Sequence, residues 1–184
     1  MRRFCLLAAL LCSVLVAMTA RADQTDARLK ELFQTLRNTD DLNRVGSAEQ
    51  AIWEIWMESG DERTDELLHQ GAMQMQFRQY GAALSMFNAV IEAKPNFAEG
   101  WNKRATLYYL MGEYERSIAD CEKTLALEPR HFGALFGLGL LHTALDHEQK
   151  AIDAFERALM VHPHLQSAPE FIQQLRARLK SREI

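Results

Sequence analysis

The sequence predicts an all-α chain: a right-handed α-solenoid of stacked helix–turn–helix repeats, with a capping helical segment at each end. Two observations carry this. Pro95, Pro129 and Pro163 recur at intervals of 34 residues, each closing a stretch with the same apolar pattern, and self-similarity at such a period marks a helical repeat array. Within each interval, small and large residues recur in phase. No stretch has the alternation of a strand, and none is of low complexity.

The N-terminus stands outside the repeats. Arg2 and Arg3 precede an apolar run from Phe4 to Met18, and Ala20-Arg21-Ala22 supplies a small-x-small cleavage site. These are the parts of a secretory signal peptide, with cleavage expected before Asp23. The run is shorter than the roughly 20 apolar residues of a spanning helix, so no stable membrane span is expected after cleavage. Leu11 stands where a lipoprotein would place a small residue ahead of Cys12, so a soluble exported chain is expected.

Residues 23–62 are predicted to form a helical hairpin. Leu29, Leu32, Phe33 and Leu36 lie at helical spacing, Asn38-Thr39-Asp40-Asp41 breaks the pattern, and Ser47–Glu58 carries Ile52, Trp53, Ile55, Trp56 and Met57. Projected backwards, the 34-residue frame puts Trp53 at position 24 and Trp56 at position 27. The segment therefore reads as a degenerate repeat stacked on the first proper one, its tryptophans plugging the open end of the solenoid. A binding patch is the other reading of the two tryptophans.

Three repeats follow over residues 63–165, namely 64–97, 98–131 and 132–165. Position 8 holds Gly71, Ala105 and Gly139; position 20 holds Ala83, Ser117 and Ala151; position 24 holds Phe87, Cys121 and Phe155. Small residues let the paired helices approach, and the large ones at positions 4 and 24 fill the space beside them. The middle unit predicts helices over Ala98–Met111 and Tyr114–Leu127. Asn96 and Glu99 suit a reciprocal N-cap, and Pro129 ends the second helix. Residues 166–184 hold a capping helix: Ser167 and Glu170 make a capping box, Pro169 lies in the first turn, and Phe171, Ile172, Leu175 and Leu179 share one face.

Composition narrows the function. The whole chain carries a net charge of −4; removal of residues 1–22 takes away Arg2, Arg3 and Arg21 and no acid, leaving −7. A mildly acidic chain without a basic stripe argues against nucleic-acid binding. Beyond residue 22 only Cys121 remains, so no internal disulfide framework exists, and its position in the frame reads as a buried small hydrophobe. His147-Glu148 lacks the second histidine of a zinc-protease helix. Gly133, Gly137 and Gly139 follow no strand. His131, His162 and His164 fall in connections between units and are expected to be solvated. No catalytic residue, cofactor or metal site is predicted.

These in-phase motifs, over about 100 of the 184 residues, resemble the tetratricopeptide repeat (TPR) family. Cys121 and Thr124 depart from the family's aromatic and alanine, as do Gln74 and His142 from the tyrosine at Tyr108, which predicts slightly looser packing there. The resemblance implies that the first helix of each unit lines a concave groove. Positions 2, 5, 9 and 12 share one helical face, and that face together with Lys103 nominates Leu68, Met75, Asn102, Lys103, Thr106, Tyr109, Phe136, Leu140 and Thr143 as the partner-binding groove. Chaperone adaptors of the family hold a peptide's terminal carboxylate with lysines and asparagines in this groove. Here the corresponding positions are Leu68, Ala72, Gly133 and Gly137, and Lys103 with Asn102 alone would not make that clamp. The expected function is a non-catalytic protein–protein interaction scaffold in a bacterial cell envelope, soluble in the periplasm, binding an apolar peptide segment or partner protein. The alternatives are a metal-handling or enzyme-associated protein using its loop histidines and a permanent structural subunit of an envelope complex. Self-coverage of the groove by an N-terminal helix is the other fate of its apolar face.

Overall fold

The computed structural model describes residues 23–182, which form nine α-helices and no strand. They are α1 (Leu29–Asn38), α2 (Leu42–Met57), α3 (Glu62–Gln76), α4 (Tyr80–Ala93), α5 (Ala98–Leu110), α6 (Tyr114–Leu127), α7 (Phe132–Ala144), α8 (Glu148–Val161) and α9 (Ala168–Arg182). The signal-peptide reading concerns residues 1–22 and lies outside the described residues. No described helix is long and apolar enough to cross a membrane.

Helices α3–α8 pair as α3/α4, α5/α6 and α7/α8, and each pair stacks on the next through α4/α5 and α6/α7; α9 closes the row against α8. The fold is thus the helical solenoid that the period predicts. The turn inside each pair repeats to the residue. Arg78, Gly112 and Asp146, all at position 15, have φ of 57°, 77° and 54°, a left-handed geometry that suits glycine and strains a side chain.

Close approach within the outer pairs depends on glycine. A Cβ added at Gly71 would meet the Phe87 ring at 2.6 Å, and one at Gly139 would meet the Phe155 ring at 2.5 Å. Both rings are fully buried, worth about 1.5–3 kcal/mol each in apolar burial. The middle pair solves the same contact in reverse, with Ala105 on α5 and Cys121 on α6, and so lacks the ring.

The N-terminal hairpin departs from expectation. It does not stack on the first repeat. It folds back on the array, α2 touching α5 and α1 touching α8, and shares a core with repeat 3: Leu29, Phe33, Leu36, Ile52 and Trp56 enclose Phe132, with Val161 and Leu165 at the margin. Trp53 and Trp56 therefore do not plug the solenoid's end. The outward face of α3 stays open, with Met73 56% and Phe77 68% exposed, whereas Leu107 and Leu141, equivalent to Met73, are buried against the preceding unit.

Two expected caps also differ. Phe97, not Asn96, is the N-cap of α5 and offers no side-chain bond. Gln24 takes over, its Oε1 accepting from Ala98 N–H at 3.3 Å and its Nε2 donating to Asn96 O at 2.6 Å. Glu99 is freed for another task. Asp41 caps α2, accepting from Asn43 and Arg44 N–H, and so starts that helix five residues ahead of the expected Ser47.

Candidate functional site: a cleft between α5 and α7

The first helices of repeats 2 and 3 leave a cleft of about 180 Å³ between them, lined by Asn102, Ala105, Thr106 and Tyr109 of α5, Ser117 and Cys121 of α6, and Gly133, Phe136, Gly137, Leu140 and Leu141 of α7. Its origin is local. In repeats 1 and 3 the phenylalanine at position 24 fills the corresponding space; in repeat 2 Cys121 leaves it open, its Sγ 3.7 Å from where a Cβ on Gly137 would stand. Burial pushes the Cys121 thiol up to about 12, with Asp120 and Glu122 adding to the effect, so it is an inert wall and no nucleophile.

Of the nine residues nominated from the sequence, Asn102, Thr106, Tyr109, Phe136 and Leu140 line this cleft. Leu68 does not belong to a groove. It is wholly buried in a core cluster with Phe87 and Val90, and Met75 packs at that cluster's edge. Thr143 spends its hydroxyl on Gly139 O at 2.7 Å. Phe136 has a double role, since its ring stands 5.1 Å from Phe155 and 6.0 Å from Phe171.

Lys103 is drawn away by a buried polar cluster that sequence reasoning missed. Glu99 is 1% exposed and receives three groups. Lys103 Nζ pairs with Oε1 at 3.0 Å, Asn102 Nδ2 donates to Oε2 at 3.1 Å, and His131 Nε2 lies 2.9 Å from the same oxygen. His131 Nδ1 accepts from Ala134 N–H at 3.1 Å, which leaves the ring proton on Nε2 to be donated to Glu99. Burial alone would raise the Glu99 carboxyl, yet Lys103 and His131 outweigh it and hold it below the ordinary carboxylate value.

His131 is accordingly not a solvated loop residue; it is fully buried. Trp56 stacks on its ring at 4.0 Å and 10°, and Trp53 meets it edge-on at 5.6 Å. Trp53 also presses on the start of α7, 2.7 Å from the position of a Cβ on Gly133. His162 is buried as well, 1% exposed, with Glu49 of α2 standing 3.3 Å from Nε2, outside hydrogen-bonding alignment. The N-terminal hairpin thus packs over the start of α7, and the α5/α7 cleft lies open beside it. Among the described residues no three His, Cys, Asp or Glu side chains stand close enough to hold a metal ion.

Comparison with known proteins agrees with this architecture. The tetratricopeptide repeat model matches residues 98–131 and again residues 132–164. A TPR repeat-containing protein of Rhizobium etli is 32% identical over 167 residues, covering 91% of this chain and 82% of that protein. Among solved structures, the first TPR of Spaghetti (RPAP3) bound to the HSP90 peptide SRMEEVD superposes with a TM-score of 0.63 at 21% identity, covering 65% of this chain and 96% of that one. The TPR2B domain of yeast Sti1, complexed with pHsp70, superposes with a TM-score of 0.58 at 20% identity, over 66% and 99% of the two chains. On the repeat matches and the near full-length relative, the chain belongs to the tetratricopeptide repeat family.

Proposed function

We propose that this protein is a non-catalytic interaction adaptor of a bacterial cell envelope, exported with cleavage ahead of Asp23, which holds an apolar segment of a partner protein in the α5/α7 cleft. The observation that carries the reading is the cleft itself. Tyr109, Phe136 and Leu140 line an opening that the repeat's own geometry would fill were position 24 a phenylalanine. A partly exposed apolar concavity with a few polar groups is the usual form of a recognition site. TPR domains solved with HSP90 and pHsp70 peptides support peptide binding as the kind of work. The chemistry of the lining supports a non-catalytic role, because its one thiol is pushed up to about 12 and it contains no acid–base pair. The apolar run Phe4–Met18 with Ala20-Arg21-Ala22 supports export.

Site-specific photocrosslinking in the native host tests this. A photoreactive residue at the exposed position Thr106 should join the protein to a polypeptide partner. The pair Ala105→Gly with Cys121→Phe, which restores the Gly–Phe contact and fills the cleft, should abolish that product. Crosslinking that survives filling, or no protein adduct at all, overturns the binding reading. Intact mass of the protein from its host should begin at Asp23, and a full-length species overturns the export reading.

A further inference from the structure

The cleft's hydrogen-bonding character, resting on the proposal that the cleft binds a protein segment, specifies what that segment must offer. Three of the polar side chains lining it each turn a donor inward. Thr106 donates to Asn102 O at 3.0 Å, Ser117 donates to Ala105 O at 2.6 Å, and Asn102 gives an amide N–H to Glu99. What remains is weighted to acceptors: Asn102 Oδ1 and the lone pairs of the two hydroxyls, against the second amide N–H of Asn102. Tyr109 alone keeps an O–H with no internal acceptor among the described residues, and its half-buried ring offers a face to a cation. Lys103, the nearest ammonium, is held by Glu99 and has only 22% of its side chain exposed. The start of α7 is capped by His131 and covered by Trp53.

Charge on the concave face points the same way. Glu99 is already paired with Lys103, but position 2 of α3 contributes the half-buried Asp65 and α9 places the exposed Glu170 at position 5; no basic residue stands at positions 2 or 5 of these helices. The whole chain carries 25 acidic against 21 basic side chains. A carboxylate entering this cleft would find no cation in the lining and more acceptors than donors, and an unpaired buried charge is costly. An ammonium or guanidinium would find both acceptors and a favourable field.

We infer that the α5/α7 cleft recognises a partner segment pairing an apolar side chain with a neighbouring lysine or arginine, and that it rejects acidic chain ends.

Selection of a random twelve-residue peptide library on the purified protein, in parallel with the cleft-filled Ala105→Gly/Cys121→Phe variant, tests this. Peptides enriched only on the unfilled protein should place Lys or Arg within two residues of an aromatic or aliphatic side chain. A synthetic copy of the most enriched peptide should then bind Thr106→Lys about tenfold more weakly and Thr106→Glu as well or better, at low salt where such steering is largest. Thr106 is exposed, so neither change threatens the fold. Cleft-dependent peptides that are acidic or uncharged, or a Thr106→Lys protein that binds more tightly, overturn this inference and leave the adaptor reading standing. Selection that does not distinguish the filled from the open cleft overturns both.

Discussion

Filling the cleft at its origin tests the packing logic of the repeat and the location of the site together. In repeats 1 and 3 a glycine at position 8 faces a fully buried phenylalanine at position 24, and an added Cβ would lie 2.6 Å and 2.5 Å from the ring. Cys121→Phe alone therefore drives a ring against the Ala105 methyl about an ångström inside contact, an overpacking cost of about 1–3 kcal/mol that cancels the 1.5–3 kcal/mol gained by burying the ring. Ala105→Gly alone loses about 1 kcal/mol, as glycine does inside a helix. The pair removes the clash and keeps the burial, so it should be as stable as the natural protein or about 1 kcal/mol more so. Its coupling energy should favour the double variant by about 1–3 kcal/mol, as residues in direct contact do. Urea unfolding of the four proteins measures it, with unchanged m-values showing that one transition is compared. Additive effects, or a double variant worse than Cys121→Phe, would refute the repeat equivalence on which the cleft's origin rests.

Other predictions follow from single sites. Cys121, with its thiol pushed up to about 12, should react with a thiol reagent in the native state far more slowly than after denaturation, and Cys121→Asp should cost about 3–5 kcal/mol as an unpaired buried charge. Gly112→Ala should destabilise by about 1 kcal/mol, because its φ of 77° is left-handed; thermal unfolding reads this, and no loss would mean that the turn relaxes. Phe136→Ala, expected from its groove position alone to be nearly neutral, should instead cost about 1–3 kcal/mol through its contacts with Phe155 and Phe171, whereas Tyr109→Ala should stay within about 1 kcal/mol.

Acid should loosen the hairpin. His162 is held below its ordinary value first by burial, with Glu49 opposing the shift, and His142 is lowered by burial together with Lys150 and His147. Both are neutral in the folded protein at pH 7, and the unfolded chain protonates first, so stability is full above the ordinary histidine value of about 6.5 and declines as pH falls below it. The carboxyl of Glu99, held low, adds a second loss only as pH falls below the ordinary glutamate range toward its own folded value. Thermal midpoints between pH 7.5 and pH 5 should fall, and His162→Gln should flatten that slope. A flat profile in the natural protein would contradict the burial of the His162 ring.

Much of the architecture was legible because a repeat states each of its rules three times. Proline every 34 residues and small residues at positions 8 and 20 bind helices α3–α8 to one register, and the helix limits follow from it. The hairpin escaped because an amphipathic pattern says that a face is buried without saying against what. Its docking rests on contacts over 70 residues apart in sequence, such as Gln24 with Asn96 and Trp56 with His131. One signal was nevertheless present. At position 3 the stacked repeats carry Gly100 and Ala134, both buried, where repeat 1 carries the exposed Glu66. A helix whose outward face carries a charged side chain at this position is a poor seat for a preceding unit, so residues 23–62 bury their tryptophans elsewhere.

The site was less legible than the fold for a related reason. Periodicity placed Glu99 and Asn102 on the concave face and could not tell a solvated polar row from an internal one. The buried ring of His131, the N-cap of α7, is what converts that row into a closed cluster. It takes one amide N–H of Asn102 and pairs the ammonium of Lys103, both of which would otherwise be open to an incoming carboxylate. The same cluster seats Trp56 and Trp53, so the residues that dock the hairpin also set the chemistry of the opening beside it. Replacing His131 should therefore be felt twice. His131→Leu removes a donor from a buried carboxylate and the stacking partner of Trp56, and should cost about 3 kcal/mol or more. In whatever fraction stays folded, Glu99 must take more from Lys103 and Asn102, so the cleft should become no better at holding an acidic peptide. Gain of acidic-peptide binding in that variant would show that the donors are held by something other than Glu99.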